Sequence, residues 1–330
     1  MQDFGQLGRR EAIRQLFEGT PFEPFRPALT EGGSQCLSAS RLLLEGIDFD
    51  LIYFPLKHLG YKSVAAVTGE LYAGLASPAT LKIALGVSAK LGFDRIKELW
   101  SGVVSAAQEF GYKSLGLELQ PSLSGLSISV SATGTLSGSE RPVPASKDLL
   151  CVSGALGAAY LGLQVLERGK AAFEKGSENK EELERYRMLV GSYLKPELPV
   201  GLPDALAEAG IKPSAAYFMD RGLADALLKL VGDTGLGAKV YADRIPFEGG
   251  SFELGKALDI DPVSAAMNGG EDYRILLAVP LSCYESFRHD FQTFDIIGHL
   301  AQSDVGAVLV SPDGLEHPVS APGWSTTDNH

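Results

Sequence analysis

The run Leu126-Ser127-Ile128-Ser129-Val130-Ser131-Ala132 alternates apolar and hydroxyl side chains without a break. Successive side chains of a β-strand point to opposite faces, so this pattern puts the apolar groups on one face and the serines on the other. A strand with one dry face needs a cover. Residues 93–111 supply it: Ile96, Leu99, Trp100, Val103, Val104 and Ala107 recur at three- and four-residue steps, a continuous stripe on an α-helix. The two patterns predict a helix packed on a sheet. At 330 residues the chain exceeds what one ordinary core organises, which predicts two α/β lobes. Hydrophobic residues at 45% and charged residues at 21% suit large buried cores and exclude global disorder.

Pro55 opens a helix expected over Leu56 to about Leu75, and Pro78 opens a strand expected over Ala79–Val87. The turn-rich stretch Thr135–Lys147 suits a connection between lobes, so an N-terminal domain is expected over 1–140 and a C-terminal α/β domain over 148–330. In the second lobe, strands are expected at Asp148–Ser153, Ala215–Met219, Asp272–Val279 and Asp295–Leu300. Helices are expected from Gly157 through Arg168 and at Leu223–Val231, with Lys170–Glu184 a charged, solvated segment.

A net charge of −12 disfavours nucleic acid and anionic membranes as partners. No apolar run approaches a membrane span, and Met1-Gln2-Asp3-Phe4-Gly5 lacks a signal-peptide pattern, so a cytoplasmic location is expected. Cys36, Cys151 and Cys283 are odd in number and widely spaced, with no nearby histidine to complete a zinc site, and read as reduced thiols.

Three stretches carry a family pattern. They are Leu43-Leu44-Glu45-Gly46-Ile47-Asp48-Phe49 followed by Pro55-Leu56-Lys57-His58-Leu59-Gly60-Tyr61-Lys62; Asp148-Leu149-Leu150-Cys151-Val152-Ser153-Gly154; and Asn268-Gly269-Gly270-Glu271-Asp272-Tyr273. In this order and spacing the chain resembles thiamine-monophosphate kinase, a relative of aminoimidazole ribonucleotide synthetase, over roughly residues 30–324, including Gly323-Trp324. The resemblance implies a two-lobed α/β (α+β) fold. The N-terminal sheet would pair with that of a second subunit, ATP would bind near the interface, and the C-terminal lobe would be an α/β sandwich. It also implies transfer of the γ-phosphoryl of ATP to thiamine monophosphate with several magnesium ions.

Phosphoryl transfer rests on positioning and on neutralising phosphate oxygens, a task given mainly to metal ions, and magnesium is held by carboxylates. Several family aspartates are replaced here. The family's G-D-D-A-A-V loop aligns with Glu23-Pro24-Phe25-Arg26-Pro27-Ala28, and the aspartate of S-T-D-M-L-V-E-G aligns with Arg41. N-L-S-D aligns with Val67-Thr68-Gly69-Glu70, and G-G-D-T-T with Gly116-Leu117-Glu118-Leu119-Gln120. D-I-S-D-G-L aligns with Phe218-Met219-Asp220-Arg221-Gly222-Leu223. An arginine in place of a ligand removes an oxygen and adds repulsion against a cation, so magnesium and ATP binding are expected to be impaired.

The vestigial cleft expected from the resemblance therefore comprises Arg41, Glu70, Gly116, Glu118, Asp220, Arg221, Gly269, Gly270, Glu271 and Asp272, with no catalytic residue assigned. Arg41 and Arg221 either bind a ligand phosphate or pair with Glu70, Glu118 or Asp220; the second accounts for both surviving acids and new bases. Gly269-Gly270-Glu271-Asp272-Tyr273 either keeps a piece of substrate cleft or shapes the turn into a strand. Gly154-Ala155-Leu156-Gly157 either cradles a phosphate or allows close helix packing, the second being preferred. Lys57 and Lys62 read as solvated or structural. Three functions remain open. The first is a silent kinase relative serving as a binding or partner subunit, a homodimer or a heterodimer with an active homologue. The second is an altered kinase with magnesium at Glu70 and Glu118. The third is a metal-free sensor of a phosphorylated metabolite.

Overall fold

The computed structural model describes residues 9–20, 28–31, 34–136, 141–177 and 180–321. Pro24, Phe25, Gly323 and Trp324 lie outside them. The first sheet contains β1 (Ala28–Glu31), β2 (Ser34–Leu44), β3 (Ala76–Ser88), β4 (Ser114–Ser122) and β5 (Ser127–Leu136), in the order β1-β2-β5-β3-β4. Only β3 and β4 run parallel, as their connection through a helix requires. Helices in chain order are α1 (Arg9–Phe17), α2 (Leu56–Ala73), α3 (Phe93–Glu109), α4 (Ala158–Glu174), α5 (Lys180–Arg185), α6 (Arg187–Leu194), α7 (Leu202–Glu208), α8 (Leu223–Thr234), α9 (Ser251–Leu258), α10 (Pro262–Asn268) and α11 (Tyr284–Asp290).

The alternation over 126–132 is realised as expected. Ile128, Val130 and Ala132 are buried while Ser129 and Ser131 face outward. The α3 stripe buries Ile96, Leu99, Val103 and Ala107, with Trp100 and Val104 half-buried. Burying each large aliphatic group contributes about 1.5–3 kcal/mol, which fixes which sheet face the helices cover.

The second sheet contains β6 (Leu149–Val152), β7 (Ala215–Met219), β8 (Gly237–Tyr241), β9 (Arg274–Val279), β10 (Asp295–Ala301), β11 (Ala307–Val310) and β12 (Glu316–Pro318), in the order β12-β11-β8-β10-β6-β9-β7. Leu150, Val152, Ala238 and Ile297 pack with Leu223, Leu227 and Leu230 of α8. Cys151, Leu277 and Val279 join Phe287, Phe291 and Phe294 in a second cluster. That cluster is continuous with the first lobe, running through Leu43, Val67 and Val130 to Phe218, Tyr273 and Ile275.

Several sequence expectations are corrected here. β9 starts at Arg274 rather than Asp272, because Glu271 (φ 66°) and Tyr273 (φ 52°) take left-handed backbone that no strand accommodates. α4 runs on to Glu174, and within the segment expected to be solvated Lys170 pairs with Asp50 at 2.7 Å. Of the two readings left open for Lys62, burial favours the structural one over the solvated one. The three cysteines are free thiols, and among the described residues no helix is long and apolar enough to cross a membrane.

Candidate functional site

The expected site residues from the two lobes converge where β2 and α2 face the end of β7 and the turn before β9. Asp220 follows β7, and its side chain is only 2% exposed. Arg41, pointing from β2 to the buried side, donates from Nη2 to Asp220 Oδ2 at 2.5 Å. The neighbouring Arg221 brings Nε to 3.5 Å of the same oxygen. Burial works against the Arg41 cation, but Asp220, Tyr273 and Glu271 outweigh it and hold Arg41 above its ordinary value. Arg221 is pulled down by burial. The other Asp220 oxygen, Oδ1, and the Tyr273 hydroxyl are buried without a hydrogen-bond partner among the described residues.

A second pair crosses the junction beside the first. Lys62 Nζ lies 2.8 Å from Glu271 Oε2, donates to the Tyr193 carbonyl at 2.9 Å and sits 3.7 Å from the Tyr193 ring centroid. Burial pulls the Lys62 ammonium down while Glu271 opposes it. Asp48, which accepts from the Leu44 amide at 2.8 Å, is raised by burial. Lys62, Asp48, Tyr193 and the Tyr273 hydroxyl are the parts of this network that the sequence reading did not assign.

The turn over 268–273 holds Gly270 (φ 72°) against the Asp220 carbonyl, which accepts from the Glu271 amide at 2.8 Å. Asp272 turns away from the cleft and accepts from the Gly157 and Ala159 amides at 2.7 and 3.0 Å. The α4 N-terminus, where exposed amides attract anions, thus already holds the chain's own carboxylate. Burial pushes the Asp272 carboxyl up to about 6, opposed by those two amides. Both ambiguous glycine motifs have a structural role here: a Cβ on Gly157 would meet the Ala266 amide nitrogen at 2.8 Å, and one on Gly269 the Tyr160 Cβ at 2.5 Å.

Glu70 and Phe218 line a crevice of about 1040 Å³ between the lobes, together with Lys82, Arg141 and Lys229. Glu70 is solvent-exposed at the crevice wall. The surrounding protein restricts its hydration, and this, with the nearby Asp220, pushes its carboxyl up to about 7. Phe218 packs edge-on to Tyr273 with ring centroids 5.1 Å apart. Gly116 and Glu118 are not brought to this junction. They share the outer sheet face with Lys82 and Ser129, where Glu118 accepts from Gln120 Nε2 at 2.8 Å.

The described residues do not fit magnesium. Asp220 already carries Arg41 and Arg221 on Oδ2, so two fixed cations stand beside its remaining oxygen, Glu70 and Glu118 line separate pockets, and no three acidic, histidine or cysteine side chains among the described residues converge. Magnesium needs oxygen ligands in near-octahedral array.

Comparison with known proteins gives concordant results. The thiamine-monophosphate kinase of Methanopyrus kandleri is 25% identical over 235 residues, covering 70% of each chain. That of Aquifex aeolicus is 22% identical over 325 residues, covering 96% of this chain and 99% of its own. The solved structure of AaThiL complexed with AMPPCP and TMP superposes with a TM-score of 0.81, at 21% identity over 99% of both chains. Hydrogenase maturation protein HypE of E. coli superposes with a TM-score of 0.65, at 15% identity over 88% of this chain and 87% of that one. At these identities the solved structures speak to the fold alone. No protein-family model matches the chain. The order of the motifs, the curated relatives and the shared architecture agree: the chain is similar to thiamine-monophosphate kinases in sequence and has the aminoimidazole ribonucleotide synthetase-like fold that their solved structures share.

Proposed function

We propose that the chain is a catalytically silent relative of thiamine-monophosphate kinase that serves as a binding or partner subunit in the cytoplasm. The observation that carries this reading is the Asp220 carboxylate held by Arg41 at 2.5 Å and Arg221 at 3.5 Å. Two guanidinium groups neutralise in advance the acid nearest the family's metal position, and Phe218 adds apolar bulk where that alignment has an aspartate. A buried carboxylate paired in this way gives up its partner only at a cost of several kcal/mol, which a hydrated divalent ion would have to exceed. The partner is proposed to be a second copy or an active homologue, engaged through the first sheet. In support, Leu117 and Leu119 are 42% and 48% exposed on edge strand β4, and Leu42 is 56% exposed on β2.

The deciding assay supplies ATP, thiamine monophosphate and saturating magnesium and measures ADP. The expected result is no production above a protein-free control; steady turnover by the purified chain overturns the reading. A sensor of phosphorylated metabolites is the second reading. It is favoured by Lys82, Arg141 and Lys229 around the crevice and by the Arg221 side chain, 36% exposed. For that reading, melting in the presence of chelator should rise with thiamine monophosphate or ATP, and an unchanged melting temperature with both removes it.

A further inference from the structure

On the face of the second sheet away from α8, strands β6, β8 and β10 frame a pocket of about 320 Å³. It shares no lining residue with the crevice between the lobes. Lys147, Arg244 and His299 supply its polar wall, and Tyr241, Leu149 and Leu281 its apolar one.

The charge of this pocket runs against the rest of the molecule. The chain carries 41 acidic and 29 basic residues, yet none of the three basic side chains has an acidic partner among the described residues. Two acids adjoin these residues in sequence: Asp148 is turned inward, where it accepts from the Ser214 hydroxyl at 2.6 Å and the Ala145 amide at 3.1 Å, and Asp243, next to Arg244, is exposed to solvent. Lys239, beside His299 in the sheet, is already paired with Glu316 and is not counted. Arg244 lies 5.3 Å from the Tyr241 ring centroid, and the Tyr241 and His299 rings lie 5.9 Å apart at an angle of 30°. Guanidinium, ammonium and imidazole groups beside an aromatic wall match a phosphate attached to a small flat body. The volume falls at the lower end of small-ligand pockets, about 300–1,000 Å³.

We propose that this pocket binds a small phosphate monoester with a flat or apolar body, independently of the crevice and of whether the chain is silent as a kinase. Lys147 and Arg244 take the phosphate, His299 donates a further hydrogen bond, and Tyr241 with Leu149 and Leu281 covers the organic part.

His299 gives the site its own reporter. Burial, then Lys239 and Arg244, hold its imidazole below the ordinary value. A dianion among these groups reverses the second influence. The test follows the His299 ring resonances by NMR, assigned with His299→Gln, while phenyl phosphate is titrated into the full chain. Saturable movement and a raised His299 pKa are expected, with affinity about tenfold or more weaker in Arg244→Ala and in Lys147→Ala. Both residues are exposed, so circular dichroism should show both variants folded. Lys229→Ala, in the crevice, should bind as the wild type does. No saturable movement, or wild-type affinity in both pocket variants, overturns the proposal. Inorganic phosphate binding as tightly as phenyl phosphate overturns the assignment of an organic body.

Discussion

The ring of Phe218 lies so close to the backbone of Gly69 that a methyl group there would stand 2.2 Å from ring Cε2. Phe218 comes from the end of the second lobe's edge strand and Gly69 from near the C-terminal end of the first lobe's buried helix α2. Their contact brings the lobes together at the position where the family alignment has an aspartate. Together with the Arg41–Asp220 pair, it ties the two lobes to each other beside the crevice.

Gly69→Ala should therefore destabilise the chain by about 1–3 kcal/mol, since the ring has to move or leave its rotamer. Urea unfolding should show a lower midpoint at unchanged slope. The smaller Phe218→Leu in the same background should recover part of the loss. If Gly69→Ala unfolds at the wild-type midpoint, the two lobes are not packed through this contact.

Arg41→Ala strands a buried carboxylate with only the more distant Arg221 beside it, and a loss of about 3–5 kcal/mol is expected. Asp220→Asn should soften that loss. In a double-mutant cycle the pair should show a coupling of about 1–3 kcal/mol, whereas additive effects would mean that the ion pair contributes nothing specific.

Asp272 gives a pH dependence with a definite sign. Its carboxyl sits at about 6 in the folded chain against an ordinary 3.8, so the folded state holds the proton more tightly than the unfolded one. The stabilisation is complete below 3.8 and is lost as pH rises through about 6, an effect of about 2–3 kcal/mol. Relative to Asp272→Asn, the wild type should be more stable at acid than at neutral pH. A stability difference that stays level across that window removes the assignment.

Glu70 should titrate at about 7 when followed by carboxyl NMR, and Asp220→Asn should bring it down towards the ordinary carboxylate range, because Asp220 is one of the two groups raising it. A Glu70 that ignores this substitution would leave restricted hydration, with Asp225, as the cause.

What was legible in the sequence was what repeats locally. The Ser/apolar alternation of β5 and the stripe of α3 each carry their period within a few residues, and both elements formed where expected. The partner of Arg41 was not legible, because Glu70, Glu118 and Asp220 were equivalent acids until the fold placed Glu118 on the outer face and Asp220 within reach. Lys62 was harder still. A lysine in a helix reads as solvated or structural without local signal to decide, and the arrival of Tyr193, Glu271 and Tyr273 from the second lobe encloses it. The role of Asp272 depends on amides 115 and 113 residues earlier in the chain, a relation with no local period.

The Arg41–Asp220 pair joins residues 179 apart in sequence. Contacts of such long range demand that the chain close a large loop before they return any stabilisation, which makes folding slow. During synthesis Arg41 would emerge well before its acid, so the first lobe must stay unaggregated with an unpaired cation on its inner face. A pair of this range ties together two stretches of chain that are made far apart in time.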